Sequence, residues 1–230
     1  MTREQFTLPL PPWPEATGAA DFFTSAANAA ARAAVAAWVD WPRGKLVLIG
    51  PEGAGKTHLA RIWATETQAA WITGTGLAGA DLPALAAAGR VAVDDAQAVA
   101  GTPEAERALF HLHNLLAAAG GHLLLTAREA PGRWPIGLPD LASRLQAAGV
   151  ARLDRPDDAL MAAVLVKLFD DRHLHVAPAV VAYLLPRIHR SLAEARRLVE
   201  AIDRASLAER REITRALAAE VLDSLTPSGQ

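Results

Sequence analysis

Gly50-Pro51-Glu52-Gly53-Ala54-Gly55-Lys56-Thr57 satisfies the pattern G-x-x-x-x-G-K-[ST] at every fixed position and follows directly on the apolar run Leu46-Val47-Leu48-Ile49. Glycines at 50, 53 and 55 let backbone N–H groups turn inward on phosphate oxygens, where a side chain would block them. Lys56 then reaches the terminal phosphates as a point charge, and Thr57 offers a hydroxyl to Mg²⁺. A helix starting near Lys56 points its positive dipole end at the same anion. Strand, loop and helix together predict a nucleoside di- or triphosphate site, with Ala54 and His58 completing the stretch that surrounds the phosphates.

The chain has 230 residues, enough for one α/β domain of ordinary size and a smaller appendage. It has no cysteine, which excludes disulfides and thiolate metal sites, and no apolar h-region opens it, so a cytoplasmic protein is expected. Ala26 to Val39 is rich in small apolar residues but is too short to span a bilayer and is interrupted by Asn28 and Arg32, so no membrane role is indicated. A formal net charge of −2 argues against a broad basic face that grips DNA, so no direct sequence-specific DNA binding is expected. The histidines are dispersed and no structural metal is predicted.

Short apolar runs alternate with longer helical stretches, as repeated βα units should. Strands are predicted at Lys45–Ile49, Ala69–Ile72, Arg90–Asp94, His122–Thr126 and Val150–Leu153, and their mostly continuous apolar character suits a parallel sheet buried on both faces. Helices are expected near Lys56–Glu66, Leu82–Ala88, Pro103–Ala119 and Leu138–Ala147. From Pro156 the strand-like runs stop. Asp157 and Asp158 suit a helix start, Pro178 a first turn, and Ser191-Leu192-Ala193-Glu194 has capping-box spacing. The fold class is therefore α/β, with a five-stranded parallel sheet followed by a small all-helical domain. The expected division is an extended tail at 1–12, the α/β core at 13–155 and the helical part at 156–230.

Val91-Ala92-Val93-Asp94-Asp95 is an apolar strand ending in two carboxylates. At the carboxyl end of a parallel sheet Asp94 can hold Mg²⁺ while Asp95 orients an attacking water. Thr126, at the end of Leu123-Leu124-Leu125, is placed by the same geometry to reach the γ-phosphate or the water, although a β-forming residue in a strand needs no such role.

These features resemble the AAA+ ATPases, in the branch of the bacterial replication initiator DnaA and its shortened relative Hda. The resemblance is carried by Asp21-Phe22-Phe23 with Asn28, the intact loop, Asp94-Asp95-Ala96-Gln97, Phe110-His111-Leu112-His113-Asn114, Leu124-Leu125-Thr126-Ala127-Arg128, Leu138-Pro139-Asp140-Leu141-Ala142-Ser143-Arg144-Leu145 and Ile202-Asp203-Arg204-Ala205-Ser206. It implies an AAA+ core with a helical lid, ADP or ATP as the nucleotide, and no origin-reading domain. It also implies that Arg144 is presented to the γ-phosphate held by a neighbouring subunit, as an arginine finger acting in trans. Gln5-Phe6-Thr7-Leu8-Pro9-Leu10 resembles the peptide through which many proteins dock on the sliding clamp, the β subunit of DNA polymerase III, with Leu8 entering an apolar pocket, Gln5 anchoring it and Pro9 limiting the entropy lost.

One departure from the branch matters. Its lid helix carries a nucleotide-touching arginine, and this chain has Ala193 at the matching place. Arg190, Arg196 and Arg197 are the candidates to replace it, and if none reaches the site the chain's own turnover is slow or absent. The resulting expectation is a regulator that binds adenine nucleotide, docks on the clamp and stimulates ATP hydrolysis by DnaA, negatively regulating replication initiation at the replisome, with homo-oligomers open. The alternatives are an active DnaA-like ATPase that remodels another nucleic-acid-bound protein and, more distantly, a phosphotransferase.

Overall fold

The computed structural model describes residues 22–225. The clamp-type peptide at Gln5, Phe6, Leu8, Pro9 and Leu10 lies outside the described residues, as does Asp21.

Five parallel strands form one sheet: β1 (Lys45–Ile49), β2 (Ala70–Thr73), β3 (Arg90–Asp94), β4 (His122–Ala127) and β5 (Gly149–Arg152), in the order β2-β3-β4-β1-β5. All five runs read from the sequence are strands, and their ends move by one residue or less. Strand pairing places Leu48 of β1 opposite Thr126 of β4, and Val93 of β3 opposite Leu125. β4 therefore stands between the strand that feeds the phosphate loop and the strand that ends in the acid pair.

Period-two alternation sends successive side chains to opposite faces. Val47, Val91, Val93, Leu123 and Leu125 pack under α3 (Leu82–Ala87), α4 (Pro103–Ala118) and α5 (Pro139–Gln146). Leu46, Leu48, Ala92 and Leu124 pack on the other face under α1 (Ala29–Ala36) and α2 (Lys56–Thr67), with Trp41 and Trp63 among them. Both faces of the sheet are thus covered, which is why its strands read as continuous apolar runs rather than alternating ones.

The remaining described residues form α6 (Asp158–Asp170), α7 (Pro178–Leu184), α8 (Leu192–Glu209) and α9 (Arg215–Leu225), which share a separate apolar core around Leu165, Phe169, Leu184, Leu198 and Ile202. Their starts follow the predicted signals: the Asp157 carboxylate accepts from Leu160 N at 2.7 Å, Pro178 takes a first-turn position, and Ser191 Oγ accepts from Glu194 N at 3.4 Å. Among the described residues no helix is long and apolar enough to cross a membrane.

Candidate functional site

The loop after β1 is shaped by close approach. A Cβ on Gly50 would lie 2.4 Å from the Leu153 carbonyl oxygen, because Leu153 N donates to Ile49 O at 2.8 Å and brings the chain after β5 against the loop. Gly53 has φ +74° and faces α8. Gly55 is the N-cap of α2 and has no side chain to cap it, so no capping side chain engages the first-turn amides of that helix. Lys56 Nζ donates to the carbonyls of Gly50 and Pro51, each at 2.8 Å. Burial, reinforced by the charge of Arg128, holds the Lys56 ammonium below the ordinary lysine value in spite of Asp94, Asp95 and Glu52.

The acid pair meets this loop through hydroxyls. Thr57 Oγ1 donates to Asp94 and stands 3.1 Å from both carboxylate oxygens. Thr126 Oγ1 donates to Asp94 Oδ1 at 2.5 Å and accepts from the backbone N–H of Asp95 at 2.9 Å. Thr126 is only 2% exposed. β4 lies between β1 and β3, so this hydroxyl joins the two aspartates, and Thr126 also lines the cleft. Asp95 itself has φ +50°, a conformation costly outside glycine, and leaves its side chain exposed at the cleft. The donors Thr57 and Asp94 are hard oxygens within 3.1 Å of each other, a set that fits Mg²⁺, which takes one or two protein oxygens and completes its shell with water and phosphate.

Between the sheet and the lid helices lies a cleft of about 360 Å³, with the loop, Asp94 and Asp95 at one end. Its other end is apolar, walled by Phe22, Phe23, Leu160, Val164 and Leu168. His58, from the first turn of α2, stacks on Phe22 with ring centroids 5.8 Å apart and planes 13° from parallel. Asn28 fixes this entry segment by donating from Nδ2 to Phe23 O and accepting from Ser25 N, both at 2.9 Å. The α6 wall was missed in the sequence, since Leu160, Val164 and Leu168 read there as one more apolar helix face. The two ends together suit a phosphate chain and a flat ring system.

The three lid arginines are placed differently. Arg196 lines the cleft, whereas Arg190 and Arg197 do not. Arg196 follows Leu192 by four residues and Ala193 by three, so it shares the face that those two turn to the loop. Arg197 is rotated about 100° further round the helix and is exposed, and Arg190 pairs with Asp158 at 2.9 Å. Arg128 forms an exposed ion pair with Glu52 at 3.1 Å beside the loop.

Arg144 is in the last turn of α5, exposed, and does not line the cleft. Its guanidinium carbon sits 5.1 Å from the centroid of the Phe110 ring on α4.

Comparison with known proteins agrees with this architecture. A family described as "Hda, lid domain" matches residues 157–222. An uncharacterized protein of Haemophilus influenzae is 30% identical over 174 residues, covering 72% of this chain and 75% of that protein. Among solved structures, domain III of the Thermotoga maritima replication initiation protein DnaA superposes with a TM-score of 0.79 at 19% identity, over 94% of this chain and all (100%) of that one. AMPPCP-bound DnaA from Aquifex aeolicus superposes with a TM-score of 0.65 at 18% identity, over 82% of this chain and 67% of that one.

Proposed function

This chain belongs to the Hda/DnaA-related AAA+ family, and on that premise we propose that it is a nucleotide-dependent regulator that stimulates ATP hydrolysis by DnaA through Arg144. In this reading adenine nucleotide occupies the cleft, with the base against Phe22 and the α6 wall and the phosphates over Gly53, Gly55 and Lys56. Thr57 and Asp94 would hold Mg²⁺, whose chemistry when bound is to neutralise phosphate oxygen charge. Thr126 keeps the Asp94 carboxylate aimed at Thr57, and Arg196 supplies the lid cation in place of the arginine missing at 193. The N-terminal peptide Gln5–Leu10 anchors the protein on the sliding clamp, which concentrates it beside DNA-bound partners and keeps it at the replisome.

The observation that carries the trans role is the position of Arg144: exposed, over the Phe110 ring and outside its own chain's cleft. An arginine so placed serves a phosphate held by a different subunit, where its fork of donors stabilises charge developing in phosphoryl transfer. The test is the rate of ATP hydrolysis by DnaA in the presence of clamp loaded on DNA, with wild type or Arg144→Ala added. Loss of stimulation is expected, and equal stimulation by both sinks the proposal.

The intact set of Lys56, Thr57, Asp94 and Asp95 favours one second reading, an active ATPase that remodels another nucleic-acid-bound protein. Clamp pull-down with Gln5 and Leu8 changed to alanine separates the two: retention that depends on these side chains supports the regulator, and equal retention supports the alternative.

A further inference from the structure

Tyr183, in the last turn of α7, is half-buried against the lid core, where Val180, Val181 and Leu184 of α7 pack with Leu217 and Ala218 of α9. Two guanidiniums converge on its ring. Arg187, from the turn Leu185–Arg187 that follows α7, holds its guanidinium carbon 4.0 Å from the ring centroid and donates from Nη1 to the Tyr183 carbonyl at 2.9 Å. Arg215, the first residue of α9, holds its own 4.7 Å from the same centroid. In the same domain Arg172, Arg190 and Arg211 pair with the carboxylates of Glu200, Asp158 and Glu209. Arg187 and Arg215 are both exposed, and neither forms an ion pair with another of the described residues. The ring attracts each cation, but the two cations repel each other, and Arg215 stands at the end of α9 where the helix dipole disfavours positive charge. An anion lying across both guanidiniums would relieve that repulsion, and the ring has already restricted the two long side chains that would hold it.

We propose that Arg187 and Arg215 form a contact site for the phosphodiester backbone of duplex DNA, independent of base sequence. A guanidinium presents in-plane donors that match phosphate oxygens, and two of them over one ring take the oxygens of one phosphate or of neighbouring ones. A protein partner is the poorer fit, because a protein interface is built around an apolar centre. The exposed large apolar side chains of the lid lie elsewhere in its elements: Val166 on α6, Leu207 on α8 and Leu225 at the far end of α9. A pair of cations is compatible with a net charge of −2, since it needs no broad basic face, and it gives a weak grip that adds to anchoring made by other parts of the chain. The site lies outside the machinery proposed for Arg144, and its test involves neither DnaA nor the clamp.

The experiment follows the fluorescence anisotropy of a short labelled DNA duplex as the full chain is added, at a series of salt concentrations, for wild type, Arg187→Ala, Arg215→Ala, the double variant and Arg197→Ala. The slope of log affinity against log salt is expected to shrink by about 0.9 in each of the first two variants and by about twice that in the double variant, the value for counterions released at one phosphate contact per arginine. Each single substitution weakens binding roughly fivefold at low salt, the scale of an exposed ion pair. Arg197→Ala removes the same charge from an exposed position on α8 and leaves both slope and affinity at wild-type values. Arg187→Lys with Arg215→Lys keeps the slope, and unchanged ADP affinity in the alanine variants shows that their lid is intact. An equal loss in Arg197→Ala reduces the effect to net charge and overturns the site. So does a wild type that binds no duplex, or binding of poly-glutamate or inorganic pyrophosphate that needs both arginines while binding of the duplex needs neither.

Discussion

Leu192, the first residue of α8, donates its backbone N–H to the carbonyl of Gly53 in the phosphate loop at 2.9 Å. The lid helix is therefore bonded directly to the loop that would hold the phosphates, through the backbone and not through a side chain. The same approach leaves no room at Gly53, where a Cβ would stand 2.0 Å from Ser191 Oγ and 3.1 Å from Ser191 Cα.

Gly53→Ala is expected to push α8 off the loop. The left-handed backbone alone costs about 1–2 kcal/mol for a residue with a Cβ, and the clash with Ser191 adds to it. Calorimetric titration with ADP should show affinity weakened at least about tenfold, and Ser191→Gly in the same chain should recover part of the loss by removing the hydroxyl. Wild-type affinity in Gly53→Ala would show that the lid contact has no bearing on nucleotide binding.

Thr126→Val keeps the volume of the side chain and removes its hydroxyl. The Asp95 N–H loses its acceptor and Asp94 loses a donor, and a buried polar group left unpaired costs about 1–3 kcal/mol. Denaturant unfolding should show a loss of that size. Titration with Mg²⁺ in the presence of ADP should need more metal, because Asp94 is no longer held toward Thr57.

Arg196→Ala should weaken ADP binding by roughly tenfold to a hundredfold, the range for losing a charge-assisted hydrogen bond, while Arg197→Ala and Arg190→Ala leave it near wild type. Equal effects at Arg196 and Arg197 would mean that the face of α8 turned to the loop is not the one that meets the nucleotide.

Lys45 provides a pH prediction independent of nucleotide. It is 3% exposed and donates to the Gly121 carbonyl at 2.9 Å, and burial pulls its ammonium from the ordinary 10.5 down to about 8. Between those two values the unfolded chain holds the proton that the folded chain has shed, so unfolding takes up a proton and stability rises with pH. Below about 8 both states are charged and the burial penalty is fully present. Wild type should gain on the order of 2 kcal/mol across the window relative to Lys45→Met, in which this rise is absent. Urea midpoints of the two proteins, compared at pH 7.5 and pH 10 (roughly the ends of the window set by the lysine reference value), supply the measurement. Parallel curves would show that Lys45 keeps its charge in the folded state.

Much of the architecture was legible because its signals are local. The run Lys45–Ile49 is apolar at every position beyond its first, which only a strand covered on both faces requires, and the loop that follows needs glycine wherever backbone must approach backbone. Asp157, Pro178 and Ser191 announced helix starts because capping is a bond between near neighbours in the chain. The phosphate loop and the acid pair are legible in the same way, each from a short pattern whose chemistry is contained in a few consecutive residues, whereas Arg144 stands out only through the family resemblance.

Tertiary structure alone decided what joins one such pattern to another. The order β2-β3-β4-β1-β5 puts Thr126 beside both strands and makes its hydroxyl a brace for the aspartates, a bond that no local pattern announced. The docking of α8 on Gly53 selects Arg196 over Arg197, a choice that periodicity cannot make because both flank the buried strip of the helix. The approach of Arg144 to the Phe110 ring and the bonds of Glu106 to the backbone just ahead of α5 link residues about thirty positions apart, 31 and 32 for the Glu106 bonds. A chain's local pattern specifies which residues avoid water and where elements begin. Which polar side chains then meet depends on the rigid placement of whole elements, set by the packing of their apolar faces rather than by the polar residues themselves.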